Sequence, residues 1–163
     1  MGLVISQAEL LRRREEWRRN GQRVVFACGV FDLLHPGHVR LLEQARSYGD
    51  IVLVGIESRP NLPAASQSSS EPIPVTPSAE RAELVSALAA VDFVVELDRS
   101  SQSVFAARLA PDVVVQGGNP ASNPNPGRQD ADSHSPGSKL VHIPLEPGHS
   151  TARLIERIKN LEA

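Results

Sequence analysis

Two histidines three residues apart, His35 and His38, come directly after a short apolar run of the chain. At the start of a helix this spacing puts both rings on one face, beside amides that the first turn leaves unpaired. The helix dipole attracts anions there, Pro36 suits a first-turn position, and Gly37 lets a phosphate approach the backbone. Taken alone, such a pair is more often structural or solvated. With Gly37 and the preceding strand, it predicts a phosphate site.

Several other polar residues have ordinary structural interpretations. Asp32 is best explained as a cap or turn former, because short polar side chains satisfy nearby backbone amides. Ser150-Thr151, taken alone, is a helix N-cap, and Cys28 at the end of a buried strand is predicted to belong to the core. His149 adjoins this cap and is a further candidate. We predict no protein-held metal, since metal-ligand spacing is lacking in the remaining histidines: His134, His142 and His149.

The elements that must position these residues alternate between strand and helix. Short β-branched apolar runs predict five strands, at residues 23–28, 51–56, 91–97, 112–115 and 140–143. A capping box at Ser6 and Glu9 predicts a helix over 7–19, and helical spacing of apolar residues predicts others at 37–48, 79–90, around 104–109 and from Ser150. Two stretches rich in Pro, Ser and Asn, 57–78 and 119–138, are predicted to be mobile loops.

Strands separated by helices imply parallel pairing with right-handed crossovers. The predicted fold class is therefore α/β: a single doubly wound, Rossmann-like domain over residues 1–163, with a five-stranded parallel sheet and an extra amino-terminal helix within residues 1–22. In such sheets ligands bind outside the carboxyl ends of the strands. The residues expected at that edge are Gly29, Glu57, Gly117 and 148–151.

The composition bounds the classes of function. The chain has 163 residues, 40% of them hydrophobic, and a formal charge of -2, which suits one domain with a core and a small phosphorylated ligand rather than nucleic acid. A single cysteine excludes an intramolecular disulfide. Because no apolar stretch is long enough for a signal peptide or a membrane span, we expect a cytoplasmic protein with no membrane partner.

The histidine segment resembles the signature of the cytidylyltransferase-like nucleotidyltransferases, which is Gly, a variable residue, Phe-Asp and then HxGH. The matching residues are Gly29, Phe31, Asp32, His35, Gly37 and His38. The chain is also similar, nearly end to end, to the adenylyltransferase domain of the heptose 1-phosphate kinase/adenylyltransferase. That similarity includes the amino-terminal helix, Arg81-Ala82-Glu83, Val91-Asp92, Pro111-Asp112-Val113, Gly117-Gly118 and residues 150–158.

The resemblance implies direct nucleotidyl transfer. A sugar 1-phosphate oxygen would attack the α-phosphorus of a nucleoside triphosphate, expected to be ATP, and pyrophosphate would leave with the help of Mg²⁺. Its catalytic residues would be His35 and His38, which hold phosphate oxygens. The nucleotide would be bound by these histidines together with Val30, Phe31, Gly117, Gly118, Ser150 and Thr151. A homodimer is also implied.

The chain departs from the family pattern at lysine positions. The family commonly has lysine before the paired glycines, where this chain has Gln116, and another in the loop after the second strand, which has no lysine here. Two arginines in the predicted loops, Arg59 and Arg128, are candidates for compensating cations, although a guanidinium and an ammonium are not equivalent. Two alternatives therefore stay open: a CTP-dependent cytidylyltransferase for an alcohol phosphate, and a nucleotide-binding module with degenerate catalysis.

Overall fold

The computed structural model of the protein describes residues 1–58, 73–118, 137–144 and 146–161. The strands in these ranges are β1 (Leu3–Val4), β2 (Val24–Gly29), β3 (Ile51–Ser58), β4 (Phe93–Asp98), β5 (Val113–Gly117) and β6 (Lys139–Ile143). The helices are α1 (Gln7–Arg19), α2 (Pro36–Arg46), α3 (Ser78–Ser86), α4 (Gln102–Leu109) and α5 (Thr151–Leu161), and a 3₁₀ turn (Arg99–Ser101) precedes α4. None of the helices in these ranges is long and apolar enough to cross a membrane.

All neighbouring strands pair in parallel, in the order β1-β4-β3-β2-β5-β6. The chain moves outward from β2 through β3 to β4, then returns across the sheet to place β5 on the other side of β2. The direction of winding thus reverses between β2 and β5. In doubly wound sheets this reversal opens a crevice at the carboxyl ends of the two strands, where ligands bind.

The predicted α/β fold with a parallel sheet is confirmed, but the predicted count of five strands is wrong. The sixth strand, β1, has only two residues and pairs with the outer edge of β4, with the Leu3 N–H donating to the Asp92 carbonyl (2.9 Å). The sequence does contain a short apolar run here. Two residues are too few for a period-two pattern, so tertiary pairing alone makes them a strand.

Helices cover both faces of the sheet. On one face α2 and α3 pack against alternate strand residues that include Val25, Val52 and Val94. On the other face α1 and α4 pack against the intervening residues, among them Phe26 and Leu53. This alternation follows from the pleat, which turns successive side chains of a strand to opposite faces. It also decides on which side of the sheet each polar residue at a strand end emerges.

Local signals set some element boundaries accurately. Helix α1 begins and ends as predicted, with the Ser6 hydroxyl accepting a hydrogen bond from the Glu9 amide at 3.2 Å. In contrast, α3 ends at Ser86, four residues before the predicted end. Strand β3 continues through Ser58, two residues into the predicted 57–78 loop. Most of that loop and of the 119–138 loop lies outside the described residues.

Three aspartates bind backbone amides at the amino-terminal edge of the sheet. The carboxylate of Asp112 accepts from the Val24 amide (2.8 Å) and from the buried Arg14 guanidinium (3.2 Å). The carboxylate of Asp92 accepts from the Val52 amide and from Arg46, and that of Asp50 accepts from the Arg23 amide. These contacts connect the starts of neighbouring strands.

Candidate functional site

The histidine segment is the loop that joins β2 to α2, at the carboxyl edge of the sheet. Strand β2 ends at Gly29, and His35 is the N-cap residue of α2, with Pro36 in the first helical position. Between them Phe31 (φ 50°) and Leu33 (φ 46°) adopt left-handed backbone conformations. Such conformations are costly for residues with side chains and concentrate at functional sites.

The two rings stack, with centroids 3.8 Å apart and an interplanar angle of 19°. The centroid of the Phe31 ring lies 5.3 Å from that of the His38 ring. A Cβ on Gly37 would come within 2.9 Å of two atoms of the His35 ring and within 3.4 Å of the His149 Cβ. Glycine is therefore needed at position 37 to make room for the ring of His35.

Both histidines favour the neutral form. Burial lowers the pKa of His35, and the nearby His149 lowers it further. Burial and the neighbouring His35 lower the pKa of His38 to about 4, although the Asp32 carboxylate acts in the opposite direction. In each ring Nδ1 is buried and has no hydrogen-bond partner among the described residues. Each neutral ring carries one N–H, which can donate to an anionic oxygen.

Asp32 and Arg81 connect the histidine loop with other segments of the chain through hydrogen bonds. The buried Asp32 carboxylate accepts from the amides of Val75 (2.7 Å) and Thr76 (3.0 Å). It binds backbone amides as predicted, but the prediction of a local cap or turn is wrong, because both amides come from a distant segment. The Arg81 side chain, 3% exposed, donates to the carbonyls of Thr76 (2.8 Å), Glu57 (3.0 Å) and Val30. Arg81 thus connects the ends of β2 and β3 with the segment before α3.

The start of α5 adjoins the histidine loop. The Ser150 hydroxyl accepts from the Arg153 amide (3.2 Å), which confirms the predicted N-cap. The Thr151 hydroxyl donates to the Asp32 carbonyl (3.0 Å) and so connects α5 with the loop. Because this bond uses the only hydroxyl proton of Thr151, a phosphate at this helix start would have to take its hydrogen bonds from other donors, such as first-turn amides.

The paired glycines end β5 beside β6. Gly118 has φ +121°, and its amide donates to the Ile143 carbonyl (2.9 Å), so that amide belongs to the sheet. Within the described part of the chain, no atom lies within 4 Å of the position where a Cβ of Gly118 would stand. Gln116, in the position of the expected lysine, pairs in register with His142 of β6.

The structure describes most of the predicted site residues but not all of them. The structure brings together the histidine loop, the start of α5 and the end of β5 at one edge of the sheet. Arg59 and Arg128, the candidate cations, lie outside the described residues. Cys28 packs partly buried against the core as predicted, and burial raises the pKa of its thiol to about 12, so it remains protonated.

Two residues near the site had weaker signals in the sequence. Arg81 belongs to a stretch that carries the family resemblance, and it stands next to Ala82 on the buried face of α3. An arginine beside core residues is a recognisable sign of a buried hydrogen-bonding role. His149 adjoins the predicted cap, and the structure places it next to His35. Among the described residues, no group of three His, Cys, Asp or Glu side chains could hold a metal ion.

Comparison with known families gives a match over residues 26–161 to the model described as "Cytidylyltransferase-like". Two curated proteins named "Bifunctional protein HldE" are similar over nearly the whole chain. The one from Koribacter versatilis (strain Ellin345) is 39% identical over 154 residues, which are 94% of this chain and 31% of that protein. The one from Acidiphilium cryptum (strain JF-5) is 34% identical over 157 residues, 96% of this chain and 31% of that protein. The chain spans about a third of each relative's length.

Two solved structures share the fold. The lipopolysaccharide core biosynthesis protein from Thermoplasma volcanium GSS1 has a TM-score of 0.57 at 21% identity, over 77% of this chain and 98% of that one. Pantoate-beta-alanine ligase from Francisella tularensis, complexed with beta-gamma ATP and beta-alanine, has a TM-score of 0.56 at 14% identity, over 100% of this chain and 79% of that one. At these identities the likeness supports the parallel α/β fold alone.

Proposed function

The chain belongs to the cytidylyltransferase-like family, and on that premise we propose that it is a nucleotidyltransferase that transfers AMP from ATP to a sugar 1-phosphate and releases pyrophosphate. The observation that carries this proposal is the loop after β2. Two stacked, neutral histidines stand there at a helix start, in a backbone conformation that the surrounding contacts hold. The similarity to the bifunctional HldE proteins favours a heptose 1-phosphate as the acceptor.

The nucleotide would occupy the crevice between β2 and β5. In this proposal Val30 and Phe31 line one side of it, Gly117 and Gly118 line the other, and the start of α5 closes its far end. The α2 and α5 helices both begin at this edge of the sheet, and the dipole at a helix start favours phosphate groups.

The protein would act by positioning and by stabilising charge. The N–H of each neutral imidazole would donate to oxygens of the reacting phosphates, while the acceptor oxygen attacks the α-phosphorus and pyrophosphate departs. Donors that are already oriented towards developing charge lower the barrier without reorganising during the reaction. A triphosphate next to the rings would also raise their pKa values, because a nearby negative charge favours the protonated form.

Magnesium would enter with the triphosphate. Mg²⁺ commonly binds substrate phosphates and keeps several of its waters, so it does not need a cage of protein ligands. The donor set described above fits this mode, since it offers phosphate contacts rather than a carboxylate cluster. When bound, the ion would neutralise charge on the departing pyrophosphate.

The direct test is pyrophosphate release. The protein would be assayed with Mg²⁺, with ATP or CTP, and with a panel of acceptors: a heptose 1-phosphate, a hexose 1-phosphate and glycerol 3-phosphate. We expect release with ATP and a sugar 1-phosphate, and little with CTP. Release only with CTP and glycerol 3-phosphate would replace the proposal with the cytidylyltransferase alternative.

A second candidate function is nucleotide binding without turnover. It is favoured by Gln116, an uncharged residue where the family commonly has lysine, because the loss of one preorganised charge-stabilising donor can cost about 10²–10³ in rate. Calorimetry would separate the two functions. Tight ATP binding without pyrophosphate release from any acceptor would support this second function and contradict the first.

The homodimer stays a prediction, which sedimentation at working concentration would test.

A further inference from the structure

A second group of polar side chains lies at the carboxyl edge of the sheet, on the opposite face from α2. Glu57 is the next-to-last residue of β3 and has the same parity as Leu53, a core residue on the α1/α4 face. Its carboxylate is 12% exposed and lies 3.9 Å from the guanidinium of Arg99, in the turn after β4. Since the strand pleat alternates, Glu57 belongs to the α1/α4 side of the edge, whereas the histidines begin a helix of the other face.

Gln102 is the first residue of α4 and continues the buried face of that helix. The helix contacts the sheet through Phe105, Ala106 and Leu109, and Gln102 stands three and four residues before the first two of these. Residues at this spacing share a face, so Gln102 extends the core-facing row by one turn towards the carboxyl edge. Because Arg99 lies in the turn leading into α4, Gln102 and Glu57 belong to the same corner of the fold.

The side-chain amide of Gln102 is buried in this corner. The residue is 8% exposed, and its Nε2 is buried with no partner among the described residues. An unpaired buried amide is costly, so in native proteins such groups are rare and call for a specific explanation. A leucine here would fill the space without that cost. A polar ligand that enters this corner would satisfy the amide.

We propose that Gln102 and Glu57 form the subsite for the hydroxyl-bearing part of the acceptor, a sugar or another polyol; this inference rests on the proposed function. The carboxylate of Glu57 can accept from hydroxyl groups, and the Gln102 amide can donate to a hydroxyl oxygen, so together they offer both halves of polyol recognition. Arg99, on the rim, orients Glu57.

The position of Glu57 and Gln102 in the sheet indicates that they would bind the acceptor rather than the nucleotide base. The histidine loop, Gly118 and the start of α5 lie at β2, β5 and β6, along the crevice where nucleotides bind in such folds. Glu57 and Gln102 lie on the other side of β2, at β3 and β4. The reacting phosphates would stand between the two, beside the end of β2.

The experiment compares Gln102→Leu with the matched control Gln44→Leu, which makes the same change at an exposed position of α2. We expect Gln102→Leu to raise the KM for a heptose 1-phosphate about tenfold, which corresponds to the loss of roughly one hydrogen bond. The KM for ATP and kcat should stay within about twofold, and the melting temperature should not fall. Turnover of methyl phosphate, which has no hydroxyl groups, should not change. Glu57→Gln is a second variant, for use if Gln102→Leu does not fold. It too should raise the KM for the acceptor while the KM for ATP and kcat stay nearly unchanged.

Calorimetry with the same heptose 1-phosphate separates failure of this inference from failure of the proposed function. If the wild-type protein releases pyrophosphate but neither variant changes the acceptor KM, the subsite is wrong and the function stands. A rise in the KM for ATP instead would assign this corner to the base and overturn the inference. If no pyrophosphate is released but sugar phosphate binding depends on Gln102 and not on Gln44, the subsite stands and the function fails. Absence of sugar phosphate binding to the wild-type protein would overturn the inference.

Discussion

The described polar side chains at the two edges of the parallel sheet differ in whether they have hydrogen-bond partners. At the amino-terminal edge, Asp50, Asp92 and Asp112 each bind a backbone amide at the start of a strand, and two of them also bind an arginine. At the carboxyl edge, the buried Nδ1 atoms of His35 and His38 have no partner among the described residues.

The difference separates groups that stabilise the fold from groups that are available to a ligand. Folding proteins satisfy nearly all buried polar groups, so an edge on which each aspartate is paired is complete as it stands. At the carboxyl edge, buried ring nitrogens lack partners among the described residues and can form hydrogen bonds with a ligand, and the left-handed residues Phe31 and Leu33 are typical of functional sites. Four substitutions or conditions test this division.

The largest expected effect is on catalysis at the carboxyl edge. In His38→Gln we expect kcat to fall by about 10²–10³, because one preorganised donor to the reacting phosphates is lost. The free energy of unfolding should change by no more than about 1 kcal/mol, since the lost ring had an unpaired buried nitrogen. Pyrophosphate release measures kcat, and urea denaturation measures the free energy of unfolding. His142→Gln, on β6, is the matched control, and equal losses of activity in both variants would contradict the site.

At the amino-terminal edge we expect the opposite result, which is a loss of stability with little change in activity. Asp112→Ala removes the acceptor for the Val24 amide and leaves the buried Arg14 with fewer partners, so the free energy of unfolding should fall by about 2 kcal/mol. At a temperature where the variant is folded, KM and kcat should be close to those of the wild type. Asp98→Ala, an exposed aspartate at the end of β4, is the control. A large loss of activity in Asp112→Ala without a loss of stability would contradict the assignment of this edge to the stability of the fold.

Substitution of Arg81 should reduce both activity and stability, because its side chain makes hydrogen bonds within the fold and lies at the carboxyl edge. Arg81→Lys keeps the charge but replaces a planar fork that reaches the carbonyls of Val30, Glu57 and Thr76. We expect kcat/KM to fall about tenfold, or roughly 1.4 kcal/mol, together with a lower melting temperature. Normal activity in a destabilised variant would show that the histidine loop does not depend on this contact.

The last test concerns the pH dependence of stability. The pKa of His38 is lowered to about 4 in the folded protein, against an ordinary value of 6.5, so between these values the unfolded chain binds more protons than the folded one. Stability should therefore be complete above about pH 6.5 and decline as the pH falls towards 4. Denaturation midpoints across this range should decline less steeply in His38→Gln. Identical slopes in the two proteins would contradict a neutral, buried His38.

Part of the candidate site was predictable because it depends on local sequence. The capping box sets the start of α1, and the HxGH segment follows directly from a strand and opens a helix, so its place at the carboxyl edge needs only chain direction. The role of Asp32 as a partner of backbone amides was also predictable. Its actual partners, the amides of Val75 and Thr76, were not, because they come from a segment more than forty positions away.

Other features depend on contacts between distant segments. The strand β1 exists only because β4 offers it an edge. The burial of the Gln102 amide away from any partner among the described residues also depends on how distant segments pack. Likewise, the hydroxyl of Thr151 is used by the Asp32 carbonyl, which no local pattern reveals. A predicted phosphate contact at this helix start must therefore rely on other donors.

The sequence by itself determined the family, the alternation of strands and helices and the position of His35 and His38 at a helix start, because these depend on periodicity, caps and a contiguous motif. The tertiary structure alone decided which polar groups are satisfied. Whether a buried nitrogen has a partner depends on what the other strands and helices bring within hydrogen-bond distance. That is how His35, His38 and Gln102, at one edge, came to differ from the paired aspartates at the other.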